Sequence, residues 1–299
     1  MTTQTQTDAS VKLKKDYTLF SWSAQGAVNP IDAVRAEGVF VYDRDGKEYI
    51  DLSSQLMNVN AGHNNPKINA AIKEQVDTLT YVFPGIATEP RGELGKKLID
   101  IAPKNMQKTF FTNGGADAIE NAIKIARLYT GRHKIITRYR SYHGATYGAI
   151  TAGGDPRKLQ VDRDQIPGVV HVEDPYCYRC PWSQEPGSCK RECVSHIERV
   201  IQFEGPQNVA AILMEGESGS SGCIKYPDDY WQKVSEIAKK YGILIIVDEV
   251  MSGFGRCGDW FAINRSGVEP DMIVMAKGIN SGYIPLGGVM VSKDIAKPK

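Results

Sequence analysis

The chain is expected to form an α/β fold built on a mostly parallel sheet flanked by helices. Two observations predict this. Residues 242–247 and 272–276 are short, continuously apolar runs, and strands that are apolar throughout, rather than in alternation, are covered on both faces. From Lys108 onward, segments with strand and helix patterns also alternate, as βαβ units do.

A chain of 299 residues can bury a sizeable core as one large domain or two smaller ones. Its formal net charge of +1 gives no basis for a nucleic-acid or anionic-membrane partner. No apolar run approaches the roughly 20 residues that cross a bilayer. Residues 1–10 have neither the basic region nor the apolar core of a secretion signal, and are expected to be a disordered tail on a cytoplasmic protein. Six cysteines are too few for a disulfide scaffold and would stay reduced in that compartment.

Taken in order, residues 39–52 read as a hairpin turning at Asp45-Gly46. Gly62 and Pro66 interrupt the chain before Ile68, Ala71, Ile72, Val76 and Leu79 recur at helical spacing. A second helix is expected from Gly92, with Leu94, Leu98 and Ile101 on one face. Strands are then expected at 108–112, 134–139 and 209–215, with helices at 116–130 and 228–241, each closed by a glycine. The two central strands follow, and 288–292 is one more. Residues 1–65 break this rhythm and are expected to form the N-terminal part of a small α+β domain, with 66–299 as the large one.

Asp248 and Lys277 stand at the carboxyl ends of the central strands, where open α/β sheets bind their ligands. A charge buried there is costly unless it is paired or put to chemical use. Two readings are open: a structural ion pair, or the pair that pyridoxal phosphate requires. In the second, the amine joins the cofactor aldehyde and the carboxylate keeps the pyridine nitrogen protonated. In residues 112–118, Gly114 and Gly115 open a helix. They form either a phosphate-binding start or an ordinary glycine turn that Asp117 improves. Tyr142-His143-Gly144 follows the next strand, as a stacking platform or as two half-buried structural side chains.

These motifs, in this order and with Gly253-Phe254-Gly255-Arg256 after Asp248-Glu249-Val250, resemble the class III aminotransferases of pyridoxal-phosphate fold type I from Trp22 onward. The resemblance implies that Lys277 is the Schiff-base lysine and shuttles the substrate proton, and that Asp248 meets the pyridine nitrogen. It implies that Val250 and Tyr142 cover the two ring faces, with His143 beside them. Gly115 and Ala116 would hold the phosphate, Glu215 would lie near the phenolic oxygen, and Arg256 would be structural. An amino donor, a keto acid acceptor and a homodimer are implied as partners. Two departures stand out, since the family usually has Ser or Thr where Ala116 stands and Glu where Asp117 stands. The family also continues well past the lysine, so the C-terminal part of the small domain is expected to be missing here and full activity with it.

Cys177-x2-Cys180 and Cys189-x3-Cys193 have spacings open to structural zinc or to reduced thiols, and no metal is assigned to the site. Residues 174–182 with Glu204-Gly205-Pro206 resemble the taurine branch of the family. That implies transfer from taurine to a keto acid, 2-oxoglutarate before pyruvate, giving sulfoacetaldehyde. β-Alanine or 4-aminobutyrate is the alternative donor, and an inactive remnant that binds a partner is the rival of another class. Trp22, Leu56 and Met57 fall where the family lines its substrate pocket, with core packing as the alternative.

Overall fold

The computed structural model describes residues 3–297. It consists of two compact units, with the division in the chain between Pro84 and Gly85.

The first unit contains α1 (Thr3–Tyr17), β1 (Ala33–Glu37), β2 (Phe40–Asp43), β3 (Glu48–Ile50), α2 (Ser54–Met57) and α3 (Pro66–Thr78). Its strands form an antiparallel sheet in the order β1-β2-β3. The hairpin turns at Asp45-Gly46 as expected, with Gly46 at φ +83, a region that favours glycine. The expected tail is instead helical from Thr3, while Met1 and Thr2 lie outside the described residues. Lys14 and Lys15 in its last turn oppose the negative end of the helix dipole, and the Ser10 hydroxyl donates to Asp32 Oδ2 over 2.6 Å. Pro66 opens α3 behind Asn65, whose side chain accepts from the Lys67 amide at 3.0 Å. This helix belongs to the first unit, whereas the large domain was expected to begin at 66. Periodicity shows which face of a helix is apolar, not which body it joins.

The second unit runs through α4 (Glu89–Asp100), β4 (Met106–Thr112), α5 (Gly115–Thr130), β5 (Lys134–Arg138), α6 (Tyr147–Ala152), β6 (Val169–Val172), α7 (Glu192–Glu204), β7 (Val209–Glu215), α8 (Tyr230–Tyr241), β8 (Leu244–Asp248), β9 (Met272–Met275), β10 (Gly287–Ser292) and α9 (Lys293–Ala296). The seven strands lie in the order β4-β10-β9-β8-β7-β5-β6. Every pair from β6 to β9 is parallel, and β10 runs antiparallel to both β9 and β4.

Every residue of β7 and β8 is buried, which is why these strands read as unbroken apolar runs. Ile212 and Met214 of β7 enter one core cluster with α7 and α8, while Ala211 and Leu213 enter the other with α5. That is the two-residue alternation of a strand with helices on both faces. The second helix starts at Glu89 rather than Gly92, because Pro90 fits its first turn. The sequence left β1, β6, α2, α6, α7 and α9 unassigned. Among the described residues no helix is long and apolar enough to cross a membrane.

Candidate active site

β7 and β8 end side by side, with Glu215 opposite Asp248 in the ladder. Both carboxylates are 4% exposed. Asp248 Oδ1 accepts from the Val250 amide at 2.9 Å, and Oδ2 lies 2.7 Å from His143 Nδ1. A carboxylate only accepts, so Nδ1 carries the proton between them. The His143 ring is buried, with Nε2 3.4 Å from Thr137 Oγ1. His143 is therefore the hydrogen-bond partner that fixes Asp248.

Glu215 ties two loops together. Its Oε1 accepts from the Tyr142 amide at 2.9 Å, and its Oε2 accepts from the Gly219 amide at 2.7 Å. Lys277 follows β9 and takes φ +47, a left-handed conformation uncommon for a residue with a side chain. Burial lowers the pKa of its amine, against the opposing charges of Asp248 and Glu215. Desolvation thus favours a neutral amine able to act as nucleophile or base, while the two carboxylates beside it pull the other way.

The N-terminus of α5 completes this edge. Gly114 precedes it without a side-chain cap, and the amides of the first turn have no partners within the helix, so they suit an anion. A Cβ on Gly115 would lie 3.1 Å and 3.2 Å from the Val250 methyl groups, so the missing side chain makes room for Val250. Gly144 takes φ +138, and a Cβ there would fall 2.5 Å from that of Ala116. The chain leaving His143 therefore runs directly against the helix start, which brings Tyr142, His143 and Ala116 to one place. Tyr142 is half-buried, and the Arg157 guanidinium lies 3.8 Å from its ring centroid. Arg157 belongs to no motif the sequence displays, and only the spatial contact reveals it.

Glu249 is a second residue that sequence reasoning gave no role. It is fully buried and accepts from Ser252 Oγ at 2.5 Å and from the Ala262 and Ile263 amides at 3.1 Å and 2.8 Å. It thereby anchors the turn that follows β8. Burial pushes its carboxyl up to about 7 from an ordinary 4.5. The folded state thus holds this proton to higher pH than the unfolded chain does, and stability falls as pH rises from about 4.5 to about 7. The melting temperature of Glu249→Gln is expected to fall by a few degrees less than that of the parent between pH 5 and pH 8. Thermal denaturation at both pH values checks this, and parallel falls would contradict it.

Trp22, Leu56 and Met57 lie in the first unit. Trp22 and Leu56 are 47% and 67% exposed, so neither is packed in a core. All three have left-handed backbones, with φ of 55, 61 and 62. Cys177, Cys180, Cys189 and Cys193 are free thiols lining one small cavity. Cys193 sits in the first turn of α7, its pKa raised by burial to about 12, and Cys189 Sγ accepts from Arg191 Nη1 at 2.7 Å. Among the described residues no three His, Cys, Asp or Glu side chains are grouped to hold a metal ion.

Residues 22–298 match the sequence profile of the aminotransferase class-III family. A leucine/methionine racemase of Thermococcus litoralis is 39% identical over 283 residues, covering 93% of this chain and 63% of that protein. A putrescine–pyruvate aminotransferase of Pseudomonas aeruginosa is 36% identical over 271 residues, covering 88% of this chain and 59% of that protein. The crystal structure of a taurine:2-oxoglutarate aminotransferase from Bifidobacterium kashiwanohense, in complex with PLP and glutamate, superposes with a TM-score of 0.93 at 44% identity. That match covers 97% of this chain and 66% of the other. The chain thus spans less than two thirds of the length of these relatives.

Proposed function

Because the chain belongs to the class III aminotransferases, we propose that it serves a pyridoxal-phosphate-dependent transfer of an amino group from an ω-amino acid, taurine foremost, to a keto acid, 2-oxoglutarate before pyruvate. The observation that carries this is the desolvated Lys277 amine in the field of Asp248 and Glu215, beside a helix start whose amides face outward. The residues present fit the cofactor. Gly115 leaves room for Val250 that any side chain would fill, the amides of the α5 first turn suit a phosphate, and the buried Asp248 suits a protonated ring nitrogen.

Pyridoxal phosphate, when bound, supplies an aldehyde for the amine and a ring that takes up the electron pair left by the departing proton. Lys277 Nζ would take that proton from the amine-bearing carbon of the donor and deliver it to the former aldehyde carbon of the cofactor, so that the amino group stays behind when the donor leaves as an aldehyde. Asp248, held by His143 Nδ1 and the Val250 amide, keeps its negative charge aimed at one place. Glu215 fixes the Tyr142 backbone and so the position of the ring. A homodimer is part of the same proposal.

Taurine is favoured by the 44% identical taurine:2-oxoglutarate aminotransferase and by the resemblance of residues 174–182 to that branch. The racemase relative defines a second reading, since inversion at an α-carbon uses the same lysine but no acceptor. A donor screen separates them: taurine, β-alanine, 4-aminobutyrate and putrescine against 2-oxoglutarate and pyruvate, with leucine alone as control. Taurine is expected to give sulfoacetaldehyde only when a keto acid is added. Leucine inverted without any acceptor, and no transfer from the four amines, would overturn the proposal.

A further inference from the structure

The last two residues of β5 address opposite faces of the sheet, as strand geometry requires. Thr137 lies on the side of His143, and Arg138 on the side of Tyr226. Arg138 is fully buried, and its Nε, Nη1 and Nη2 have no well-formed hydrogen bond. Asp174, itself 1% exposed, brings Oδ1 only to 3.8 Å from Nη1, too far for a hydrogen bond. The Tyr226 ring centroid lies 4.6 Å from the guanidinium. A buried charge held in this way costs stability, and neutral groups of similar volume often serve a purely structural purpose better.

The contacts around Arg138 form a closed circuit through the site. Asp174 Oδ2 accepts from the Arg140 amide at 2.9 Å, and Ser141 Oγ donates to the Arg138 carbonyl at 2.7 Å, so the turn leading into Tyr142 is set from behind. The Tyr142 amide donates to Glu215 Oε1. The Glu215 carbonyl accepts from the Tyr226 hydroxyl at 3.2 Å, and the Tyr226 ring leads back to Arg138. The charges of Asp174 and Glu215 both act on the guanidinium. We propose that Arg138 is a positioning residue which, through Asp174 and Tyr226, fixes at once the Tyr142 ring and the Glu215 carboxylate, the two groups that would orient the cofactor ring. This rests on the function proposed above. Arg138 itself touches neither cofactor nor substrate. Its charge draws the segment after β6 and the segment before α8 against the exits of β5 and β7.

The test reads the visible circular dichroism of the cofactor-loaded protein, divided by its visible absorbance. That ratio reports how the bound ring is held. A variant that only folds or loads less well lowers both signals together and leaves the ratio as it was. Two variants break the circuit without stranding a buried charge. Arg138→Met/Asp174→Asn removes both charges but keeps an oxygen for the Arg140 amide, and Tyr226→Phe removes the hydroxyl that holds the Glu215 carbonyl. Each is expected to bring the ratio to about half of the parent's or less and to lower kcat per loaded site by about tenfold, because a productive site holds its groups to within about 0.5 Å. Arg138→Lys keeps the charge and loses only a fork that makes no hydrogen bonds here, so it is expected to stay within about twofold of the parent on both measures. A parental ratio in either of the first two variants, or an Arg138→Lys protein as impaired as the double variant, would overturn the assignment. Lowered ratios in variants of a parent that transfers no amino group would instead sink the proposed function and leave the positioning role standing.

Discussion

Replacing Lys277 with alanine is expected to abolish the visible absorbance of the covalently held cofactor and to lower turnover by at least about a thousandfold. The size follows from losing two roles at once. The amine is the nucleophile that holds the aldehyde, and it is also the base that moves the substrate proton, a role worth about a hundred- to ten-thousandfold by itself. The folded chain supplies no substitute at that point, since the other groups acting on Lys277 are the carboxylates Asp248 and Glu215 and the permanently charged Arg157. Alanine removes the amine but leaves β9, buried at every residue, so the variant is expected to fold. Absorbance after loading with pyridoxal phosphate and turnover in the donor screen check the two roles separately. Persistence of either signal at parental strength would remove Lys277 from that role.

Asp248→Asn is expected to retain the cofactor while losing about a hundredfold or more in turnover. The single amide oxygen can still accept from the Val250 amide, and the amide N–H can donate to His143 Nδ1 once that ring carries its proton on Nε2, so the local geometry has a means to persist. The negative charge is what disappears, and removing one preorganised electrostatic contact typically costs about a hundred- to a thousandfold in rate. Lys277 also loses an opposing charge that favours its protonated form, so the acidic limb of the pH profile should move toward lower pH. An Asn variant with parental turnover would show that the ring nitrogen does not depend on this carboxylate.

Much of the sheet was legible because its central strands are covered on both faces. An unbroken apolar run ending in a charge, as in residues 242–248, has few readings other than a buried strand, and every residue of β8 is buried. Gly131 and Gly242 marked the ends of α5 and α8 because both adopt the left-handed C-terminal conformation. Segments whose stability comes from contacts rather than pattern were not legible. β6 is short, with one fully buried residue, and owes its strand form to pairing with β5. α7 begins inside the cysteine-rich stretch, where Pro and Gly upstream disguised the helical spacing of Cys193, Val194, Ile197 and Ile201.

The site divides in the same way. Asp248, Lys277 and the Gly114-Gly115 turn were readable as motifs, because strand ends and helix starts dictate which residue types can stand there. The partnership of His143 with Asp248 joins residues 105 apart in the chain and has no local signature. Arg157 and Glu249 escaped notice for a related reason. One sits in an Asp-Pro turn, the other follows a more conspicuous aspartate, and only the fold shows what each touches.

Borohydride reduction of the cofactor-loaded protein, followed by digestion and mass spectrometry, tests the central claim most directly. The added mass of the reduced cofactor is expected on the single peptide that contains Lys277. Labelling of another lysine, or no stable label at all, would contradict the account.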